Sequence, residues 1–367
     1  MKGIRFSNLG IIFLLLLVFS MPCVTQAAGD ITIKGNEILR DGQPWVAKGV
    51  ILVGMVAPSE VIKGKFALAR QHFGTAELQA AKAYGADLIR FMISQGGTDY
   101  KSSIYSPSYV KEVGQAVALA RSMGFSVIVT VQSESPSGLS EPGMASDKTL
   151  RSWQTLVPLF KSDQGVMLHI FNEPMEGRVP GHSGAILDWK FWSDTTQPVI
   201  DEIRQLGAKN VLVVDGLWAS TTYKGAPLLR DPVGQLIYAV HPYPSQHSMN
   251  ASDWDENFGN LAKTSPVMAT AFNARSTDEK QCFNGPQYYS PVVMANLLAY
   301  LREHHIGAVG WAFDYPGTLI RDFNGTLTDY KHFKCTPGGS PAETYAVGEM
   351  LHHYFVTGEI ETWHPGD

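Results

Sequence analysis

The run Val166 to Met175, VMLHIFNEPM, carries an apolar stretch into Asn172, Glu173 and Pro174. Apolar residues from Val166 to Phe171 suit a strand buried on both faces, and Pro174 stops the ladder just past the acid. Glu173 is then presented at a strand end, where a cleft can receive a general acid/base. A lone Glu after a strand also starts many surface loops; the neighbouring Asn172 and the rest of the chain favour chemistry. Arg90, Gln132 with Glu134, Asp215 with Trp218, His241 with Tyr243, and Trp311 all close other β-rich runs. Each has a plain reading as well: Arg90 tying strands together, His241 a satisfied core histidine, Trp311 a packing ring.

The elements that must position these residues form a repeating series. Short β-rich runs occur at Val46 to Leu52, Asp87 to Met92, Ser126 to Val131, Val166 to Phe171, Val211 to Val214, Leu236 to Val240, Pro266 to Thr270 and Gly307 to Ala312. Helical patterns fall between them, at Ala76 to Tyr84, Ser108 to Met123, Lys148 to Phe160, Leu187 to Leu206, Trp254 to Lys263 and Pro291 to His304, with Ala342 to Tyr354 last. Strand then helix, repeated, implies a parallel sheet. Gly85, Gly124, Gly207 and Gly307 stand where a left-handed helix cap is cheap. Eight such units predict a closed (β/α)8 TIM barrel, with function at the carboxyl ends of its strands. Ile31 to Lys34 and Glu37 to Leu39 flank Gly35-Asn36, which predicts a short N-terminal β-hairpin across the barrel floor.

Residues 1–28 read as a signal peptide: Lys2 and Arg5, an apolar run from Ile11 to Phe19, then small residues at Ala27 and Ala28. The uninterrupted run is shorter than the roughly 20 residues that span a bilayer. The expectation is a secreted or periplasmic protein, with residues 29–367 as one barrel domain and no membrane partner once the leader is removed. Cys23 lies in the leader, which leaves Cys282 and Cys335. In an oxidising compartment the expected state of such a pair is a disulfide, closing a loop of roughly 50 residues and worth a few kcal/mol in the chain-entropy model. A formal charge of -5 offers no basic stripe, so nucleic acid is not an expected partner. Eight tryptophans and fourteen tyrosines are enough to furnish sugar-stacking platforms. A monomer is expected.

LIRF at Arg90, FNEP at Glu173, VHPY at His241 and Tyr243, and GWAF at Trp311, with the opening GNEILRDGQPWVAKGV, resemble glycoside hydrolase family 5, the cellulase family, along nearly the whole mature chain. The resemblance implies a retaining β-glycosidase, acting on a β-linked glycan without metal or organic cofactor. Glu173 would protonate the departing glycosidic oxygen, and Asn172 would hold the adjacent sugar hydroxyl. Arg90, His241 and Tyr243 would position the nucleophile and the sugar, Trp311 would floor the pocket, and Trp218 would contact substrate. The mechanism independently needs a proton donor and an anion on opposite faces of the ring. It also needs a raised carboxyl pKa on the acid, which a nearby anion and partial desolvation supply.

Strand seven breaks the pattern. It reads SPVMATAFNARS, and Ala271 stands where the family's nucleophilic glutamate is expected. A methyl group cannot attack the anomeric carbon, and loss of a nucleophile costs roughly 10⁴-fold or more. Gln132 and Glu134 also replace a histidine found in many relatives. Three readings remain open: an introduced change in an otherwise active hydrolase; a second carboxylate from Glu134, Asp215, Asp314 or Glu279; or a non-catalytic carbohydrate-binding pseudoenzyme. Carboxyl separations of about 5 to 5.5 Å for retaining and about 6.5 to 9.5 Å for inverting sites would rank the substitutes.

Overall fold

The computed structural model describes residues 29–132, 143–182, 184, 186–245, 247–274, 285–331, 333 and 346–364. Three short antiparallel strands come first: β1 (Ile31–Lys34), β2 (Glu37–Arg40) and β3 (Gln43–Pro44). The expected hairpin is present and gains a third strand. Eight parallel strands follow: β4 (Lys48–Leu52), β5 (Leu88–Ile93), β6 (Ser126–Val131), β7 (Val166–His169), β8 (Leu212–Asp215), β9 (Leu236–Val240), β10 (Val267–Phe272) and β11 (Gly307–Gly310). They close in the order β10-β11-β4-β5-β6-β7-β8-β9, a (β/α)8 barrel.

The helices are α1 (Gly64–His72), α2 (Thr75–Ala83), α3 (Gln95–Thr98), α4 (Pro107–Ser122), α5 (Asp147–Phe160), α6 (Trp189–Gln205), a short turn α7 (Leu217–Ser220), α8 (Ala251–Trp254), α9 (Asn260–Ala262), α10 (Ser290–Glu303) and α11 (Gly348–Thr357). A π-helical stretch, Asp255–Gly259, joins α8 to α9. The periodic pattern did not reveal α1, α3 or α7. α1 has a weakly amphipathic sequence, and the other two span one turn, too short to show a 3.6-residue period. Gly85, Gly124 and Gly207 adopt the left-handed conformation expected of helix caps. Gly307 does not: His305 takes the positive φ, and Gly307 opens β11 because a Cβ there would meet Ala47 at about 2.9 Å.

Alternation along the strands divides the core. Val127, Val129 and Val131 of β6 and Val166 and Leu168 of β7 face the helices. Ile128, Met167, Val213, Ile237, Met268 and Val309 fill the barrel with Leu88 and Met92. A register shift between Ala269 and Phe272 opposite β11 puts one extra residue into β10. That bulge lets Ala271 join the barrel interior while Phe272 packs outside.

Two buried indoles then fix the strand ends that matter. Trp153 of α5 donates to the Ile170 carbonyl and Trp192 of α6 to the Asp215 carbonyl, each at 2.9 Å. Such bonds satisfy backbone acceptors that would otherwise be buried at a penalty of about 1–3 kcal/mol each.

Candidate active site

Glu173 lies just beyond β7 with φ +50°, a left-handed conformation that a non-glycine residue holds only when its surroundings impose it. They do so here. The Glu173 N–H donates to Asp215 Oδ2 at 2.8 Å, across from the end of β8. The side chain keeps 22% of its surface, and Oε1 sits 2.8 Å from His241 Nδ1, just past β9.

Behind this pair is a buried polar network centred on Arg90 of β5. Its guanidinium donates to Asn172 Oδ1 (2.5 Å), Thr130 Oγ1 (3.0 Å) and the Thr270 carbonyl (3.0 Å). It also faces His169 Nδ1 at 3.2 Å and His241 Nε2 at 3.4 Å. A guanidinium has only donors, so both facing ring nitrogens must accept. This assigns the remaining protons. His241 Nδ1–H donates to Glu173, and His169 Nε2 lies 2.9 Å from Asp215 Oδ1. Burial pushes the His169 imidazole down to about 4, a shift that Asp215 only partly offsets. Burial pushes the Asp215 carboxyl up, but His169, His241 and Arg90 outweigh it and hold the group well below the usual carboxylate range.

A second unusual segment braces the acid. Trp218, Ala219 and Ser220 in α7 all have positive φ, +52°, +53° and +62°. Left-handed residues of this kind cost about 1–2 kcal/mol each. The turn persists because its polar groups are used: Ala219 N–H donates to the Pro174 carbonyl, Ser220 Oγ to the Ala239 carbonyl, and the Ser220 carbonyl accepts from His241 N–H. α7 thus ties the chain after Glu173 to the chain bearing His241, and leaves Trp218 exposed beside the acid with its indole 3.4 Å from the Gly184 carbonyl.

The other side of the mouth is apolar. Ala271, 3% exposed, follows Thr270, whose hydroxyl lies 3.0 Å from His241 Nε2. Tyr243 and Trp311 pack half-buried against the interior cluster that includes Ala271. The Trp311–Ala312 peptide is cis, and Asn273 Nδ2 donates to the Trp311 carbonyl at 2.6 Å.

The structure therefore brings together Glu173, Asn172, Arg90 and His241, and sets Trp218, Tyr243, Trp311 and Ala271 around them. His241, expected to serve the nucleophile, directs Nδ1 at the acid. Two of the four substitute carboxylates are engaged elsewhere: Asp215 is fully buried under Glu173, and Asp314 accepts from Val53 N–H (2.9 Å) and Gly54 N–H (2.8 Å). Glu134, Glu279, Cys282 and Cys335 lie outside the described residues. His169, Thr130 and Thr270 escaped the sequence reading, although each is a polar residue in an apolar strand at an inward position, a signal that period-two alternation could have exposed. Among the described residues no group of three or more His, Cys, Asp or Glu side chains could hold a metal ion.

The family model for cellulases, glycosyl hydrolase family 5, matches residues 68–317. The chain belongs to that family. Solved structures with the family 5 barrel's fold include a β-glucanase from Saccharophagus degradans, 21% identical over 82% of this chain and 90% of that one, with a TM-score of 0.65. An endoglucanase catalytic domain from Thermobifida fusca is 18% identical over 89% and 97%, TM-score 0.61. A β-mannanase from Thermomonospora fusca, in a mannotriose complex, is 18% identical over 82% and 92%, TM-score 0.55. At these identities the likeness is one of fold. No curated protein matches the sequence.

Proposed function

We propose that this family 5 barrel binds a β-linked glycan across its mouth and cleaves the glycosidic bond with Glu173 as acid/base. The observation that carries the reading is the pinning of Glu173: its backbone is held by Asp215 and its carboxyl by His241, on a strand end facing an aromatic-lined opening. Asn172, oriented by Arg90, is placed to take the sugar hydroxyl next to the reacting carbon. Asp215 and Asp314 are too thoroughly engaged to attack a sugar, and Ala271 stands at the nucleophile position. Glu134 and Glu279 remain as the candidate second carboxylates; where neither serves, attack comes from a small molecule admitted over the Ala271 methyl and basal turnover is slow. The S. degradans β-glucanase was captured with cellotetraose, and the Thermomonospora fusca β-mannanase with mannotriose; β-glucans and β-mannans are the first substrates to try.

The second reading, a sugar-binding protein without turnover, draws its support from Ala271 alone. Azide separates the two. With an activated aryl β-glycoside, azide attacks the anomeric carbon as the C–O bond breaks, Glu173 hands its proton to the departing oxygen, and the product is the α-glycosyl azide. Accumulation of that product marks a hydrolase lacking only its anion. Binding of the glycoside with no azide product at any concentration would leave the non-catalytic reading.

Residues 1–28 are proposed as a cleaved leader, 29–367 as a single exported barrel domain, and Cys282–Cys335 as its disulfide.

A further inference from the structure

Among the polar residues packed behind Glu173, Thr270 is the one that the hydrolytic chemistry leaves without a task. It stands on β10 immediately before Ala271, three strands on from β7, and is fully buried. Its carbonyl accepts from Arg90 Nη1 at 3.0 Å, and its hydroxyl lies 3.0 Å from His241 Nε2. Among the described residues that ring nitrogen is the hydroxyl's one hydrogen-bond partner.

His241 Nε2 is contested. Asp215 Oδ2 lies 3.6 Å from it and Arg90 Nη1 3.4 Å. A neutral imidazole carries one ring proton, which the carboxylate draws to Nε2 and which the guanidinium and a donating hydroxyl keep on Nδ1. His241 is buried, so water does not screen these opposing pulls. The outcome reaches the acid. With the proton on Nδ1, the ring donates to Glu173 Oε1, 2.8 Å away, and the carboxyl's own proton is left on Oε2. With the proton on Nε2, Nδ1 turns a lone pair toward Oε1, and the acid spends its hydrogen on the ring instead of on a departing oxygen.

We propose that Thr270 is a positioning residue for the acid, its hydroxyl holding His241 in the Nδ1–H tautomer. Resting on the reading of Glu173 as acid/base given above, this role ties the two sides of the mouth together: the strand that carries the nucleophile position also directs the proton donor from behind, through a buried group that does not touch the sugar.

Nitrogen–proton correlation spectra of protein labelled with nitrogen-15 histidine, taken at about pH 8, where an ordinary imidazole is neutral, report which ring nitrogen holds the proton. The His241 signals are assigned by their loss in His241→Asn. The parent is expected to show Nδ1 protonated and Nε2 bare. Thr270→Ser keeps the hydroxyl and should match it, whereas Thr270→Val and Thr270→Ala should show Nε2 protonated. In the Ala271→Glu background the two variants without a hydroxyl should cleave a β-glucan or β-mannan about tenfold or more slowly, with a much smaller loss on an aryl β-glycoside whose leaving group needs no proton. A protonated Nε2 in the parent overturns the proposal, and that measurement requires no variant to fold. A bare Nε2 in both variants without a hydroxyl overturns it too, as does a Thr270→Ser spectrum that follows theirs. Equal losses on the two substrates would mark Thr270 as packing alone and overturn it as well. If the Ala271→Glu protein cleaves nothing, the hydrolase reading falls, while the tautomer spectra still decide the role of Thr270, which keeps the two failures apart.

Discussion

Around β7, β8 and β9 the barrel mouth is built from charge and hydrogen bonds: Glu173, Asp215, His169 and His241, with Arg90 reaching in from β5 and a left-handed backbone held in place by its neighbours. Around β10, β11 and β4 it is built from methyl groups and rings: Ala271, Trp311, Tyr315 and Phe66. The charged side holds Glu173 by both its backbone and its carboxyl, whereas the apolar side offers rings and the Ala271 methyl. In the proposed reading, sugar binding and proton transfer can survive loss of covalent attack, because the residues concerned are built on different strands.

The largest expected effect comes from restoring symmetry to this pair. Ala271→Glu should raise hydrolysis of a responsive β-glucan or β-mannan roughly 10⁴-fold or more, measured as reducing-sugar release. No increase on any glycan would mean that the two sides do not address the same bond. In that restored background Glu173→Gln should lower hydrolysis about 10²–10⁴-fold, and less for a substrate whose aryl leaving group needs no proton. An equal loss on both substrates would argue against Glu173 as the proton donor.

Asp215→Asn should reduce unfolding stability by about 3 kcal/mol, because the buried His169 ring loses the carboxylate 2.9 Å from its Nε2 and the Glu173 N–H loses a charged acceptor. It should also loosen Glu173, which denaturant melts and kinetics in the restored background can read separately. A variant as stable as the parent would show that Asp215 is not the keystone of the charged side.

The smallest effect is a pH dependence that the two sides oppose. Folding lowers His169 from 6.5 to about 4, so the native state binds fewer protons than the unfolded chain between those values. Its contribution to stability is complete above pH 6.5 and is lost as pH falls through 4. Burial raises Asp314 from 3.8 to about 6, so its contribution is complete below pH 3.8 and is lost as pH rises through 6. Each is worth at most about 3 kcal/mol, and between pH 4 and 6 they nearly cancel. Asp314→Asn should therefore expose a stability that climbs with pH in that window, measured by urea midpoints. An unchanged profile would refute the balance.

Much of this was legible in the amino-acid order. Alternation of strand and helix implied the eight-stranded barrel, and strand boundaries at Ser126–Val131 and Leu236–Val240 agree to the residue. Glu173, Asn172 and His241 were each found just past a strand from local pattern alone, whereas Arg90, expected to end its strand, lies in the middle of β5 and is buried inside the barrel. His169 was hidden inside a run read as uniformly apolar. That Asp215 and Asp314, offered as candidate carboxylates, are already engaged could not be read from the chain: a carboxylate's freedom depends on what surrounds it, and their donors lie 42 and 261 positions away.

What the sequence determined by itself was the period of the fold and the chemical types at its strand ends, since these follow from local hydrophobicity and turn chemistry. It also showed that position 271 carries a methyl group. Only closure of the barrel decided which of those types meet. Pairing of β7 with β8 and of β8 with β9 brought His241 to Glu173 and buried Asp215 beneath them, and pairing of β11 with β4 aligned Trp311 and Tyr315 with Phe66. Those encounters depend on register and on one extra residue in β10, which are properties of strand pairing and are absent from any single stretch of the chain.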